Sequence, residues 1–131
     1  MKLTAYSRNR LLQTFQHWNV PKDFADPMYN YLVFGYSPGS CFSAVLANDF
    51  ARAIASSHPG NTVEAFKALS GWIQDTVPQE ARGDWGVVLR WTVMSAEERR
   101  SILEEHGLVY TEQEEIMMTL QSKHTVEPVL Y

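Results

Sequence analysis

The residues best suited to chemistry lie between Tyr36 and Asn61, with one outlier at Trp85. Ser37-Pro38-Gly39-Ser40 is a turn feeding a helix. Such a start leaves the backbone amides of Gly39, Ser40 and Cys41 without intrahelical partners, able to hold a phosphate or carboxylate. The competing reading is an ordinary Ser-Pro helix start, because a P-loop needs a longer glycine loop and a Lys-Ser/Thr pair. Asn48 and Asp49 place an amide and a carboxylate between Leu46 and Phe50, suited to a structural hydrogen bond or to a ribose or base edge. His58 stands in a rigid turn with Pro59-Gly60 and Asn61, where it either caps the preceding helix's carbonyls or meets a ligand. A general acid at His58 would need Asp49 or Ser40 beside it, a pairing that no spacing rule supports.

Aromatic side chains add a second kind of surface. Trp18, Trp72, Trp85 and Trp91, with Tyr29, Tyr31 and Tyr36, are enough to stack a nucleobase or anchor a protein partner, although most read as core. Trp85 differs because Gly83, Asp84 and Gly86 flank it, leaving its ring on a permissive turn that can project into a pocket or an interface. The lone Cys41 sits at a helix start that lowers a thiol pKa, yet a buried inert thiol is the commoner case. The expected ligand-binding set is Tyr36, Ser37, Gly39, Ser40, Asn48, Asp49, His58, Asn61 and Trp85, with no catalytic residue, metal-ligand set or cofactor motif.

These side chains must be positioned by a chain of 131 residues, which fits one compact domain with no room for a second core. Apolar residues make up 45% of it and charged residues 20%, a slightly low charge that leaves apolar surface for a partner. A net charge of −4 argues against direct binding to duplex nucleic acid, which selects clustered Lys and Arg. Charge is uneven: Glu97 to Glu115 holds seven acids against Arg99 and Arg100, and this run reads as a solvated acidic face. One cysteine excludes an internal disulfide, and the four His residues show no zinc-ligand spacing. Neither a signal-peptide core nor an apolar run of about eighteen residues is present, so a soluble protein of a reducing cytoplasm is expected, with no membrane contact.

Apolar spacing near 3.6 and recurrent capping residues predict an all-α domain of about six to seven helices. The first runs from Ser7 to Trp18 and stops at Asn19-Val20-Pro21. Asp26-Pro27 starts a second, ended by Gly35. Ser37-Pro38 opens a third, continuous and alanine-rich, extending through Phe42, Leu46, Phe50 and Ile54 to Ser57-His58-Pro59-Gly60. Asn61 with Glu64 resembles a capping box for the fourth, and Pro78 ends it. Asp84 caps a short fifth that its β-branched residues would also allow as a strand. Ser95 with Glu98 and Thr111 with Glu114 are capping boxes for a sixth helix, ending near Gly107, and a seventh reaching Ser122; 95–122 is thus an acidic helical part and 123–131 an apolar tail.

The run from Asn30 through Gly35, Pro38-Gly39-Ser40 and Ala44-Val45-Leu46-Ala47-Asn48-Asp49-Phe50, followed by Ser57-His58-Pro59-Gly60-Asn61 and later Gly71-Trp72-Ile73 and Gly83-Asp84-Trp85, resembles a family of small proteins carried by tailed bacteriophages and prophages. The likeness covers about residues 20–91, and Cys41 and the acidic C-terminal part depart from the pattern. The resemblance implies a nonenzymatic phage product acting in the host bacterial cytoplasm against a defence system or another host process. Two mechanisms fit: sequestering a small anionic, nucleotide-like signal at the Gly39-Ser40 turn with Tyr36 and Trp85, or blocking a host protein through an acidic or apolar face as a nucleic-acid mimic. A small hydrolase using Asp49 and His58 and a structural phage component are the further alternatives. A homodimer or higher homo-oligomer is expected from the apolar surface left to cover.

Overall fold

A computed structural model of the chain describes residues 5–107 except residue 59, with side chains from residue 11 onward. Helix α1 (Ala5–Trp18) ends where Asn19 adopts a left-handed φ of 58°, with the amides of Asn19 and Val20 closing on the carbonyls of Gln16 and Phe15. A short 3-10 turn (Lys22–Phe24) leads directly into α2 (Ala25–Phe34), which Gly35 ends at φ 70°. Then follow α3 (Ser40–Leu46), α4 (Phe50–Ser56), α5 (Val63–Thr76), a second 3-10 turn (Gln79–Ala81), α6 (Trp85–Val93) and α7 (Ala96–Glu105). The architecture is all-α, with no strand among the described residues. None of these helices is long and apolar enough to cross a membrane.

The largest departure from expectation is the predicted third helix, which is two. Ala47, Asn48 and Asp49 break it: Asn48 takes φ 65°, its amide closes on Val45 O at 3.1 Å, and the Asp49 amide reaches back to Ala44 O at 2.8 Å. That pair of bonds is a Schellman closure with asparagine in the left-handed position. Asp49 then opens α4, its Oδ1 accepting the Arg52 amide at 3.3 Å. The chain therefore turns back on itself as a helical hairpin, and the Cys41 thiol donates to Ala53 O at 3.4 Å across it.

Other boundaries move by a residue or two. Asp26 falls inside the first turn of α2 rather than at its cap, because the preceding 3-10 turn carries the chain straight into the helix. Thr62, not Asn61, caps α5, with its Oγ1 accepting the Ala65 amide at 3.1 Å. Asp84 caps α6 as expected, accepting from Val87 N at 2.9 Å, and the segment is helix rather than strand. Ser95 caps α7 through the Glu98 amide at 3.1 Å. The predicted segment 111–122, with the Thr111 cap, and the tail 123–131 lie outside the described residues. Seven helices are present in 5–107 because one predicted helix became two.

The core gathers around the two fully buried tryptophans. Trp72 meets Phe15 edge-on at 4.7 Å and donates its indole N–H to Thr14 Oγ1 at 2.8 Å, joining α5 to α1. Gly71 makes that approach feasible, since a Cβ there would lie 2.7 Å from the Trp18 ring. Trp91 donates to Tyr31 O at 2.9 Å, and the Tyr31 hydroxyl donates to Ala81 O at 2.7 Å, so α6, α2 and the second 3-10 turn share one buried polar chain. Such pairing is what keeps polar atoms inside a core from costing stability.

Candidate functional site

The hairpin brings together side chains that a straight helix would separate. Ser40 and Ser56 are sixteen positions apart, about 24 Å along a continuous helix at 1.5 Å per residue. After the break at Asn48 they flank one depression of ≈ 480 Å³, lined by Ser37, Gly39, Ser40 and Ser43 on the α3 side, Arg52 and Ser56 on α4, and Trp85 on α6. That volume is within the range of about 300–1,000 Å³ typical of small-molecule sites.

Trp85 reaches the hairpin because the loop before α6 is tied to it. The Gly83 amide donates to Leu46 O at 2.9 Å, at the end of α3, with Gly83 at φ 126°. The Asp84 cap then sets the first turn of α6, and the Trp85 indole N–H donates to Asp49 Oδ2 at 3.1 Å. Arg52 completes the group: its Nε lies 3.8 Å from the same carboxylate oxygen and its guanidinium carbon sits 5.6 Å from the Trp85 ring centroid. A cation over an indole face is attracted by the ring quadrupole, so Arg52 and Trp85 hold each other as well as sharing Asp49. Trp85 remains 40% exposed, leaving ring surface for a ligand.

The backbone-amide reading of the Ser37-Gly39 turn is weaker than expected. Helix α3 begins at Ser40, not at Ser37-Pro38, and Gly39 precedes it at φ 94°, ψ 166°. Its amide is within 3.4 Å of Ser37 Oγ, so it is not free. With α3 only seven residues long, the donors that matter here are hydroxyls and the Arg52 guanidinium. A Cβ at Gly39 would meet nothing within 4 Å, so the glycine is required by the backbone conformation, which is open in practice only to glycine, and not by space.

Of the expected set, Ser37, Gly39, Ser40 and Trp85 line the depression and Asp49 anchors two of its walls. Tyr36, Asn48, His58 and Asn61 do not line it. Tyr36 is exposed and stacks on Phe34 with centroids 5.6 Å apart. Asn48 is exposed at the hairpin tip, where its left-handed backbone is its structural task. Among the described residues His58 caps no helix carbonyl; its Nδ1 accepts the Gly60 amide at 3.1 Å, inside a turn closed by Asn61 N to His58 O at 2.9 Å. Cys41 carries no activated thiol, because burial pushes its pKa up and Sγ is engaged with Ala53 O. Arg52, Ser43 and Ser56 are the residues that sequence reasoning missed. The signal was Asn48-Asp49 itself, an αL-tolerant residue followed by a capping residue.

No family model, characterised protein or solved structure matches the chain.

Proposed function

We propose that the protein is a nonenzymatic binding module whose ligand is a small anion carrying a planar ring, of nucleotide type, held in the depression between α3, α4 and α6. The observation that carries this reading is the group of Arg52, Trp85 and Asp49. The guanidinium supplies a fixed positive charge with a bidentate donor fork, and the indole supplies a face for stacking. Asp49 presets both side chains before ligand arrives, which lowers the ordering cost of binding. In the phage setting that the sequence pattern implies, such a module works by sequestering a host signal of this chemistry in the bacterial cytoplasm.

Isothermal titration of the full chain with a panel of mononucleotides and cyclic nucleotides tests it. Saturable binding by wild type that Arg52→Ala weakens at least tenfold, about 1.4 kcal/mol, is the expected result. No binding across the panel removes the reading.

A second reading has its own observation. Leu89 and Val93, one turn apart on α6, are 65% and 75% exposed, and the Phe34–Tyr36 stack is also exposed at the end of α2. Gly35, between Phe34 and Tyr36, lies close to the Thr92 carbonyl of α6. Apolar exposure of this kind suits a protein partner, either a host protein or a second copy of the chain. Leu89→Asp with Val93→Asp should then abolish capture of that partner or shift the oligomeric state, with nucleotide binding unchanged.

A further inference from the structure

The depression contains a buried hydroxyl with nothing to bind. Ser43 is only 7% exposed, and its Oγ has no hydrogen-bond partner among the described residues. Several hydroxyls among the described residues are bonded within the fold. Tyr31 donates to Ala81 O at 2.7 Å, Thr14 to Leu11 O at 2.6 Å, Ser57 to Ile54 O at 2.8 Å and Thr92 to Leu89 O at 2.7 Å. A helical serine that faces away from solvent can satisfy its hydroxyl on the carbonyl one turn earlier. Ser43 does not, although its own amide donates to Gly39 O at 2.9 Å. Leaving a buried polar atom unpaired costs free energy, so the orphaned hydroxyl marks a place where a missing partner fits.

Resting on the nucleotide-type reading above, we infer that Ser43 is the specificity-determining residue of a phosphoryl subsite, with Ser40, Ser56 and Arg52 as its other donors. The lining explains the class of ligand group. Ser40 and Ser43 come from α3 and Ser56 and Arg52 from α4, so donors approach from two helices, and no carboxylate lines the depression. The Asp49 carboxylate is already engaged by the Trp85 indole and by Arg52. A tetrahedral phosphoryl group offers three terminal oxygens to donors arriving from several directions. A carboxylate presents its two oxygens in one plane, a poorer match to donors that arrive from two helices. The ring of the ligand then falls to Trp85, which lies on the α6 side of the same depression.

This division of labour separates stability from binding in a single variant. Ser43→Ala removes an unpaired hydroxyl, so the free protein should melt at the wild-type temperature or above it. A serine whose hydroxyl were bonded within the fold would instead lower the melting temperature when replaced. The test is titration of the full-length wild type and S43A with adenosine 5′-monophosphate and with adenosine, alongside their thermal unfolding. Expected is wild-type preference for the monophosphate, at least tenfold weaker monophosphate binding in S43A, unchanged adenosine binding and no loss of thermal stability. Equal affinity of wild type for the two probes, or wild-type monophosphate affinity in S43A, overturns the subsite while leaving ring binding at Trp85 intact. A lowered melting temperature in S43A shows a structural hydroxyl and overturns it as well. Binding of neither probe by wild type removes the nucleotide reading itself, and the subsite with it.

Discussion

The indole N–H of Trp85 donates to Asp49 at 3.1 Å across 36 residues of sequence, and the same carboxylate caps α4 through its other oxygen. One side chain thus decides where a helix begins and where an aromatic ring points. Asp49→Ala should lower stability by about 1 kcal/mol, the usual value of a lost N-cap, and broaden the environment of Trp85. Asp49→Asn retains an oxygen acceptor for either donor and should recover much of the loss. Urea unfolding midpoints with Trp fluorescence check both, and equal stability of D49A and wild type would remove the anchoring role.

Arg99 is the one buried charge of the described core, at 7% exposure, and it serves carbonyls rather than a carboxylate. Its Nε donates to Val33 O at 3.3 Å, and Nη1 reaches Trp91 O at 3.5 Å and Met94 O. It therefore satisfies the open ends of α2 and α6 together. Arg99→Ala should destabilise by roughly 3 kcal/mol, because several buried carbonyls lose a charged donor at once. Arg99→Lys should rescue little, since a point charge lacks the planar fork. Thermal melts followed by circular dichroism measure both.

Gly35 is held to its identity by the same guanidinium. It sits at φ 70°, and a Cβ would approach Arg99 Nη1 to 2.7 Å and Thr92 O to 3.2 Å. Gly35→Ala should cost about 1–2 kcal/mol from the left-handed backbone alone, plus the displacement of Arg99. Double-mutant analysis with R99A should show strong coupling between the two positions, and simple additivity would contradict it.

Burial raises the Tyr31 phenol above its ordinary pKa. The unfolded chain ionises this group near pH 10, whereas the native state holds it neutral to higher pH. Stability from Tyr31 is therefore complete below about pH 10 and is lost as pH rises beyond it, because deprotonation favours the unfolded chain. Tyr31→Phe should lack this alkaline component while losing about 1–3 kcal/mol at neutral pH, where Ala81 O is left without its donor. Denaturant midpoints for both proteins at pH 7 and above pH 10 give the comparison.

Local signals in the sequence predict most of the helices. Asp84 and Ser95 act as caps where they stand, and Gly35 and Asn19 end their helices with positive φ. What escapes is the tertiary use of residues whose local reading is unremarkable. The alanine-rich run around Asn48 keeps helical apolar spacing on both sides of the break, so periodicity alone bridges a turn that the Asn-Asp pair makes. Missing that turn hides Ser43, Ser56 and Arg52, because only the hairpin places them beside Ser40. Arg99 is lost for the opposite reason: it lies in a charged run that reads as solvated, while its guanidinium is needed by the nearby end of α6 and by the end of α2, 66 positions away. Flanking glycines single out Trp85 in the sequence, and the Gly83 amide bond to Leu46 O shows how that loop positions it.

The most direct measurement is a titration of the full-length protein with adenosine 5′-monophosphate, followed through the four tryptophan indole N–H signals by two-dimensional NMR. Trp85→Phe identifies the signal of Trp85 by its disappearance. That signal should shift saturably, because Trp85 lines the depression and its N–H is fixed on Asp49, while the signals of buried Trp72 and Trp91 stay in place. A titration that leaves the Trp85 signal unmoved contradicts nucleotide binding in the depression.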